Sequence, residues 1–112
     1  MPAGPLRDRV RFERRSKAED GYGNTVAGWE FQFDRAAEIR PLKGGEDVIG
    51  ARLTGRQPSL IIVRSDSLTR QITPDWRVID IRYGATYAVH GAADMERRRE
   101  WITLVCEAGV AP

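Results

Sequence analysis

Apolar residues recur at every second position through much of the chain, and the densest such pattern runs from Pro74 to Cys106. Within Arg77-Val78-Ile79-Asp80-Ile81-Arg82, Ile79 and Ile81 alternate with Asp80 and Arg82. Tyr87 and Val89 follow two residues apart, and Trp101 to Cys106 is a further apolar run. A period of two is the mark of a half-buried strand, so this region predicts three strands. Tyr83-Gly84 supplies a turn between the first two, because glycine reaches positive φ without a Cβ clash. The charged stretch from Asp94 to Glu100 is expected to cross the surface to the last strand. That strand sets Trp101, Thr103 and Val105 on one side and Ile102, Leu104 and Cys106 on the other, a composition suited to a barrel seam or a covered sheet.

Upstream, Val10-Arg11-Phe12-Glu13 predicts the first strand, with Arg9 and Arg11 facing outward. Residues Ser16 to Gly28 offer little to bury and predict an exposed, flexible loop in which Tyr22 sits between glycines as a turn anchor or partner contact. Trp29 to Arg40 predicts one long strand or two joined by a bend. Trp29, Phe31 and Phe33 share one parity with Ala37 and Ile39, which points to core packing. After Pro41, the stretch at about 45–54 predicts a short helix. Glu46 and Asp47 lie in its first turn, Ile49 and Leu53 are one turn apart, and Gly55 stops it. Leu60-Ile61-Ile62-Val63 is a compact buried strand, followed by a polar loop and a turn at Pro74-Asp75. The expected core includes Phe12, Trp29, Phe31, Ile39, Ile79, Ile81, Val89, Trp101 and Leu104. The fold class is all-β with one short helix, a small β-barrel, in one domain over residues 1–112.

A chain of 112 residues is able to bury roughly 65% of its unfolded surface, enough for one modest core. No apolar run reaches the length of a membrane-spanning helix, and the start lacks a secretory signal, so the cytoplasm is the expected compartment. The single cysteine, Cys106, lies in an apolar strand and is expected to behave as a small buried hydrophobe.

Formal charge is +2, with 16 of the 18 basic residues arginine. Residues 1–17 carry six basic and two acidic side chains, or +4, leaving −2 for the remainder. This asymmetry permits contact with DNA or an acidic protein surface, but lacks the coherent basic footprint of a dedicated DNA binder. Catalytic chemistry does not assemble. His90 is the sole histidine, Cys106 has no neighbouring cysteine, and no phosphate-binding glycine loop ends in Lys-Ser or Lys-Thr. Glu46 and Asp47 suit a helix start, and Asp75 suits a turn. We therefore expect neither an enzyme nor a cofactor or metal.

Several segments, in this order, resemble the phage head–tail joining family, especially its small head-completion or stopper proteins. They are Ala3-Gly4-x-Leu6-Arg7-x-Arg9-Val10-x-Phe12, Asp20-Gly21-Tyr22-Gly23 followed by Trp29, and Ala37-x-Ile39-Arg40-Pro41-Leu42-x-Gly44-x-Glu46. Pro74-Asp75-x-Arg77-Val78, Tyr87-x-Val89 and Leu104-x-Cys106-Glu107 continue the likeness. The chain departs from common relatives in lacking an arginine-rich central strand at Ile61-Ile62-Val63 and in placing Trp76 before Arg77.

The resemblance implies a structural head–tail connector in the neck of a virion or phage-like particle, from a phage, a prophage or a gene-transfer particle. Its implied partners are a portal or adaptor protein, a tail protein, identical subunits in a ring of six or twelve copies, and the packaged double-stranded DNA passing through. Relatives help retain that DNA and open its passage at ejection. Arg9, Arg11, Arg40 and Arg77 are then the expected inter-subunit or partner contacts, with Tyr22 anchoring the docking loop. Two readings stay open beside this one: an arginine-rich nucleic-acid-binding module, and an adaptor or tail terminator in a neighbouring neck layer.

Overall fold

The computed structural model describes residues 6–19, 25–42, 45, 49, 50, 53, 55–93 and 100–109. Six strands are described: β1 (Asp8–Glu19), β2 (Thr25–Pro41), β3 (Gln57–Arg64), β4 (Trp76–Asp80), β5 (Thr86–Ala93) and β6 (Trp101–Ala108). Each pairs antiparallel with its neighbours, and the order β1-β2-β3-β6-β5-β4 returns to β1, closing a barrel. The predicted small all-β barrel is therefore the fold.

Inward-facing residues alternate along each strand as the pleat requires. Val10 and Phe12 from β1, Ile61 and Val63 from β3, Val78 from β4 and Leu104 from β6 are all fully buried and belong to one cluster. Phe33 packs its ring 5.1 Å from that of Phe12 and 5.8 Å from that of Trp76, so three strands meet through tilted aromatic pairs. Val89, Ile102 and Cys106 complete the wall, and Ile39 is half-buried against it.

Several expectations change. Ser16–Glu19 and Thr25–Gly28, predicted as loop, are strand: Ser16 lies opposite Gly28 and Glu19 opposite Thr25 in the β1–β2 ladder. Backbone hydrogen bonding needs no apolar alternation, so a polar hairpin extends beyond the barrel where hydropathy shows nothing. The tip of the predicted loop, residues 20–24 with Tyr22, lies outside the described residues. Most of the helix predicted at about 45–54 does too, as do residues 94–99 of the charged connection; Ile49, Gly50 and Leu53 are helical, and the Ile49 N–H donates to the Gly45 carbonyl at 3.0 Å. Ile49 and Leu53 are exposed.

On β4 the predicted parity is reversed. Trp76, Val78 and Asp80 point in, Ile79 is half-buried and Ile81 is exposed. Asp80 accepts the Arg82 N–H at 3.0 Å and the Tyr83 N–H at 3.4 Å, so its carboxylate folds back to cap the turn rather than facing water as part of the strand. Gly84, at φ +78°, closes that turn as predicted, its N–H donating to the Asp80 carbonyl at 2.7 Å.

Phe31 was expected in the core and is 55% exposed. The cause is a register shift: Phe12 faces Phe33 but Glu13 faces Phe31, leaving Gln32 as the extra residue of a β-bulge. Phe33 keeps the inward side, while Trp29 and Phe31 are turned to the outer one. Trp101 is also only half-buried.

Candidate functional site

The bulge creates the most distinctive surface of the molecule, the outer face of β2, β1 and β4. On β1 the inward Val10 and Phe12 leave Arg9, Arg11, Glu13 and Arg15 on the opposite side. The ladders place Arg11 opposite Asp34 and Ile79, Glu13 opposite Phe31 and Arg77, and Arg15 opposite Trp29. Cross-strand neighbours on one face are about 5 Å apart, within reach of guanidinium and aromatic side chains.

Contacts follow that register. The Arg77 guanidinium meets the Glu13 carboxylate at 2.6 Å, both side chains largely covered, and lies 4.4 Å from the Trp29 ring centroid. Arg15 lies over the same ring at 5.0 Å, so Trp29 makes two cation–π contacts. Arg11 bonds Asp34 at 3.2 Å and stacks on Phe31 at 5.3 Å. Among the described residues Arg9 has no side-chain partner, and its carbonyl accepts the Ile81 N–H at 3.0 Å. The result is a rigid three-strand platform with an open aromatic ring, exposed Ile81 and a net excess of guanidinium groups.

Of the predicted contact residues, Arg9, Arg11 and Arg77 are brought together here. Arg77 is chiefly an internal clasp, tying β4 to β1 through Glu13. Arg40 lies farther along β2, paired with Glu38 at 3.0 Å, and Tyr22 is not described. Sequence reasoning missed Arg15, Trp29 and Phe31 as surface residues. The available signal was the match of Arg11 and Arg15 on one strand to Phe31 and Trp29 on the next, legible only once the bulge is known.

Elsewhere, the loop after β3 is fixed by its own hydrogen bonds. Asp66 bonds Arg35 at 3.0 Å and accepts the Leu68 and Thr69 N–H groups at 2.8 Å. Burial would raise the Asp66 carboxyl, but those N–H donors and the Arg35 guanidinium outweigh it and hold the group below the usual carboxylate range. Arg35 also stacks on Phe33 at 4.5 Å. On the far wall, His90 and Glu107 approach to 2.8 Å, with Arg56 3.8 Å from the same carboxylate. Burial pushes the Cys106 thiol up to about 12. Among the described residues no group of three His, Cys, Asp or Glu could hold a metal, and no helix is long and apolar enough to cross a membrane.

This arrangement offers surface for a macromolecular partner. Aromatic residues with arginine are the types enriched in protein–protein interfaces, where the ring supplies buried area and the guanidinium directional hydrogen bonds.

A model of the family described as phage head completion protein matches residues 1–109. No curated protein matches the sequence. Among solved structures, a chain in the virion of the native gene transfer agent (GTA) particle aligns with a TM-score of 0.63 at 19% identity, covering 92% of this chain and 94% of that one. The solution structure of protein SF1141 from Shigella flexneri 2a aligns with a TM-score of 0.72 at 19% identity, covering 100% of both chains. At these identities the likeness is one of fold.

Proposed function

Because the chain belongs to the phage head completion protein family, we propose that it is a structural joint of the particle neck, assembled as a ring of identical subunits between portal and tail. Packaged DNA is retained above the finished joint and passes through it at ejection.

The observation that carries this reading from family to mechanism is the outer face of β2, β1 and β4. An exposed ion pair contributes about 0–1 kcal/mol, whereas fully covering a phenylalanine contributes about 1.5–3 kcal/mol. Affinity on this face therefore comes from covering Phe31 and Ile81, which are 55% and 43% exposed. Arg9, Arg11 and Arg15 set orientation, and a partner with acidic side chains along its matching edge satisfies them. Asp34 and Glu13 already hold Arg11 and Arg77 in place, so little side-chain entropy remains to be lost on docking.

The test is complementation of particles lacking this protein with Phe31→Glu. The variant should purify folded and yield few joined particles, with unjoined heads accumulating. Wild-type joining would remove this face from the interface. A resolved particle without this chain in the neck layer would remove the neck reading itself.

A further inference from the structure

The barrel is closed, so its strands have no free edges. The β1–β2 hairpin runs past it. β4 covers β1 only from Val10 to Arg14, and β3 covers β2 only from Ala37 to Pro41. Among the described residues, Arg15–Glu19 of β1 and Thr25–Ala36 of β2 pair with each other's strand on one side and with no strand on the other.

Unpaired edges of this kind template the addition of another strand, and proteins that must avoid it place proline, lysine or bulges there. Thr25–Ala36 contains neither proline nor lysine and its one irregularity is the bulge at Gln32, while the β1 edge holds a single lysine, Lys17, and no proline. We propose that this arm pairs edge to edge with the arm of a second copy of the chain, β1 of one copy against β2 of the next.

Direction and charge select that pairing. β1 and β2 are antiparallel, so a rotation that keeps all arms pointing the same way brings β1 of one copy beside β2 of the next in antiparallel sense. The open β1 edge carries Arg15 and Lys17, while the open stretch of β2 carries Glu30, Trp29 and Phe31. Inside one chain Arg15 already lies over Trp29 at 5.0 Å, and Arg14, the last residue that β4 covers, reaches Glu30 at 3.7 Å. A second β1 on the open side of β2 repeats the same chemistry. Two β1 edges would instead bring Arg15 and Lys17 against the same cations, and two β2 edges, in the register centred on Glu30, would oppose that carboxylate to itself. Such a head-to-tail contact is heterologous, the type that closes rings. The inference rests on the ring reading above and specifies which edges join.

Single-cysteine chains test it. Ser16→Cys on the β1 edge and Glu30→Cys on β2 are made with Cys106→Ser, mixed, treated with a short bismaleimide, and imaged by negative stain. Cross-linked dimer in the mixture, little in either variant alone, and none when His90→Cys on the far wall replaces Ser16→Cys, is the expected result. Rings without cross-link in the mixture, or cross-link only within one variant, overturn the edge pairing and leave the ring reading standing. Absence of both rings and cross-link overturns the two together.

Discussion

Phe12 and Phe31 lie one register step apart on paired strands and have opposite fates, 0% and 55% exposed. Removing the Phe12 ring leaves a cavity between Phe33 and the barrel wall, so Phe12→Ala should cost about 3–5 kcal/mol. Phe31→Ala removes a ring standing in solvent under Arg11, and should cost no more than about 1 kcal/mol. Urea unfolding of both variants measures the difference. Equal losses would return Phe31 to the core. The alternation of Trp29, Phe31 and Phe33 was legible in the sequence, but the residue that breaks it was not, because a bulge depends on the partner strand's register. Asp80 misled for a related reason: a carboxylate that caps its own turn occupies an inward position ordinarily held by an apolar residue. Cys106 met its expectation of burial. Its thiol, pushed up to about 12, stays neutral in the folded chain while an unfolded thiol ionises from about pH 8.5. That contribution to stability is therefore whole below the unfolded pKa and is lost as pH rises toward the folded one. Native protein at pH 8 should leave Cys106 unreacted with a thiol reagent until denaturant is added, and rapid native labelling would contradict the burial.

At the scale of elements, the connection from β3 to β4 shows how a polar segment becomes rigid. Thr69, 1% exposed, donates its hydroxyl to the Arg64 carbonyl at 3.0 Å and accepts the Asp66 N–H at 2.8 Å. Thr69→Val keeps the shape but strands both backbone groups, at about 1–3 kcal/mol. Thermal unfolding should show a lower midpoint, and an unchanged one would mean that water replaces the hydroxyl. Asp66, held below the usual carboxylate range, stabilises this loop above its unfolded pKa. That part is lost as pH falls through the folded value, and Asp66→Asn should abolish that part of the acid sensitivity. The sequence revealed a polar loop here, but not the hydroxyl lock, since side-chain hydrogen bonds to a turn leave no periodic trace. The opposite end of the barrel has its own constraint at Gly109. With φ +86°, a Cβ there would lie 2.2 Å from the Gly55 carbonyl oxygen. Gly109→Ala should therefore lower the unfolding midpoint, whereas Gly84→Ala, with open space around it, carries only the left-handed backbone cost of about 1–2 kcal/mol.

Across the whole molecule, six strands in chain order were legible from apolar runs and turn residues, while the closure was not. That β3 lies beside β6, and β1 beside β4, depends on long-range pairing for which one sequence holds no local signal. The closed barrel and the protruding hairpin also divide labour. Among the described residues, every member of the core cluster lies within the strands and loops of the barrel, and none lies in β1 beyond Arg14 or in β2 before Phe33. Removing residues 17–24 leaves residues 25–27 to join Ser16 to its register partner Gly28, a three-residue hairpin loop of a common length. The barrel should keep its near-ultraviolet circular dichroism and lose at most about 1 kcal/mol, or roughly 4–8 °C in midpoint. Joining of heads to tails should nevertheless fall, because both free edges of the arm are shortened together. A deletion variant that joins particles normally would confine function to the barrel face and leave the arm without a part in assembly. One that fails to fold would show that the arm stabilises the barrel instead, against the separation seen in the packing.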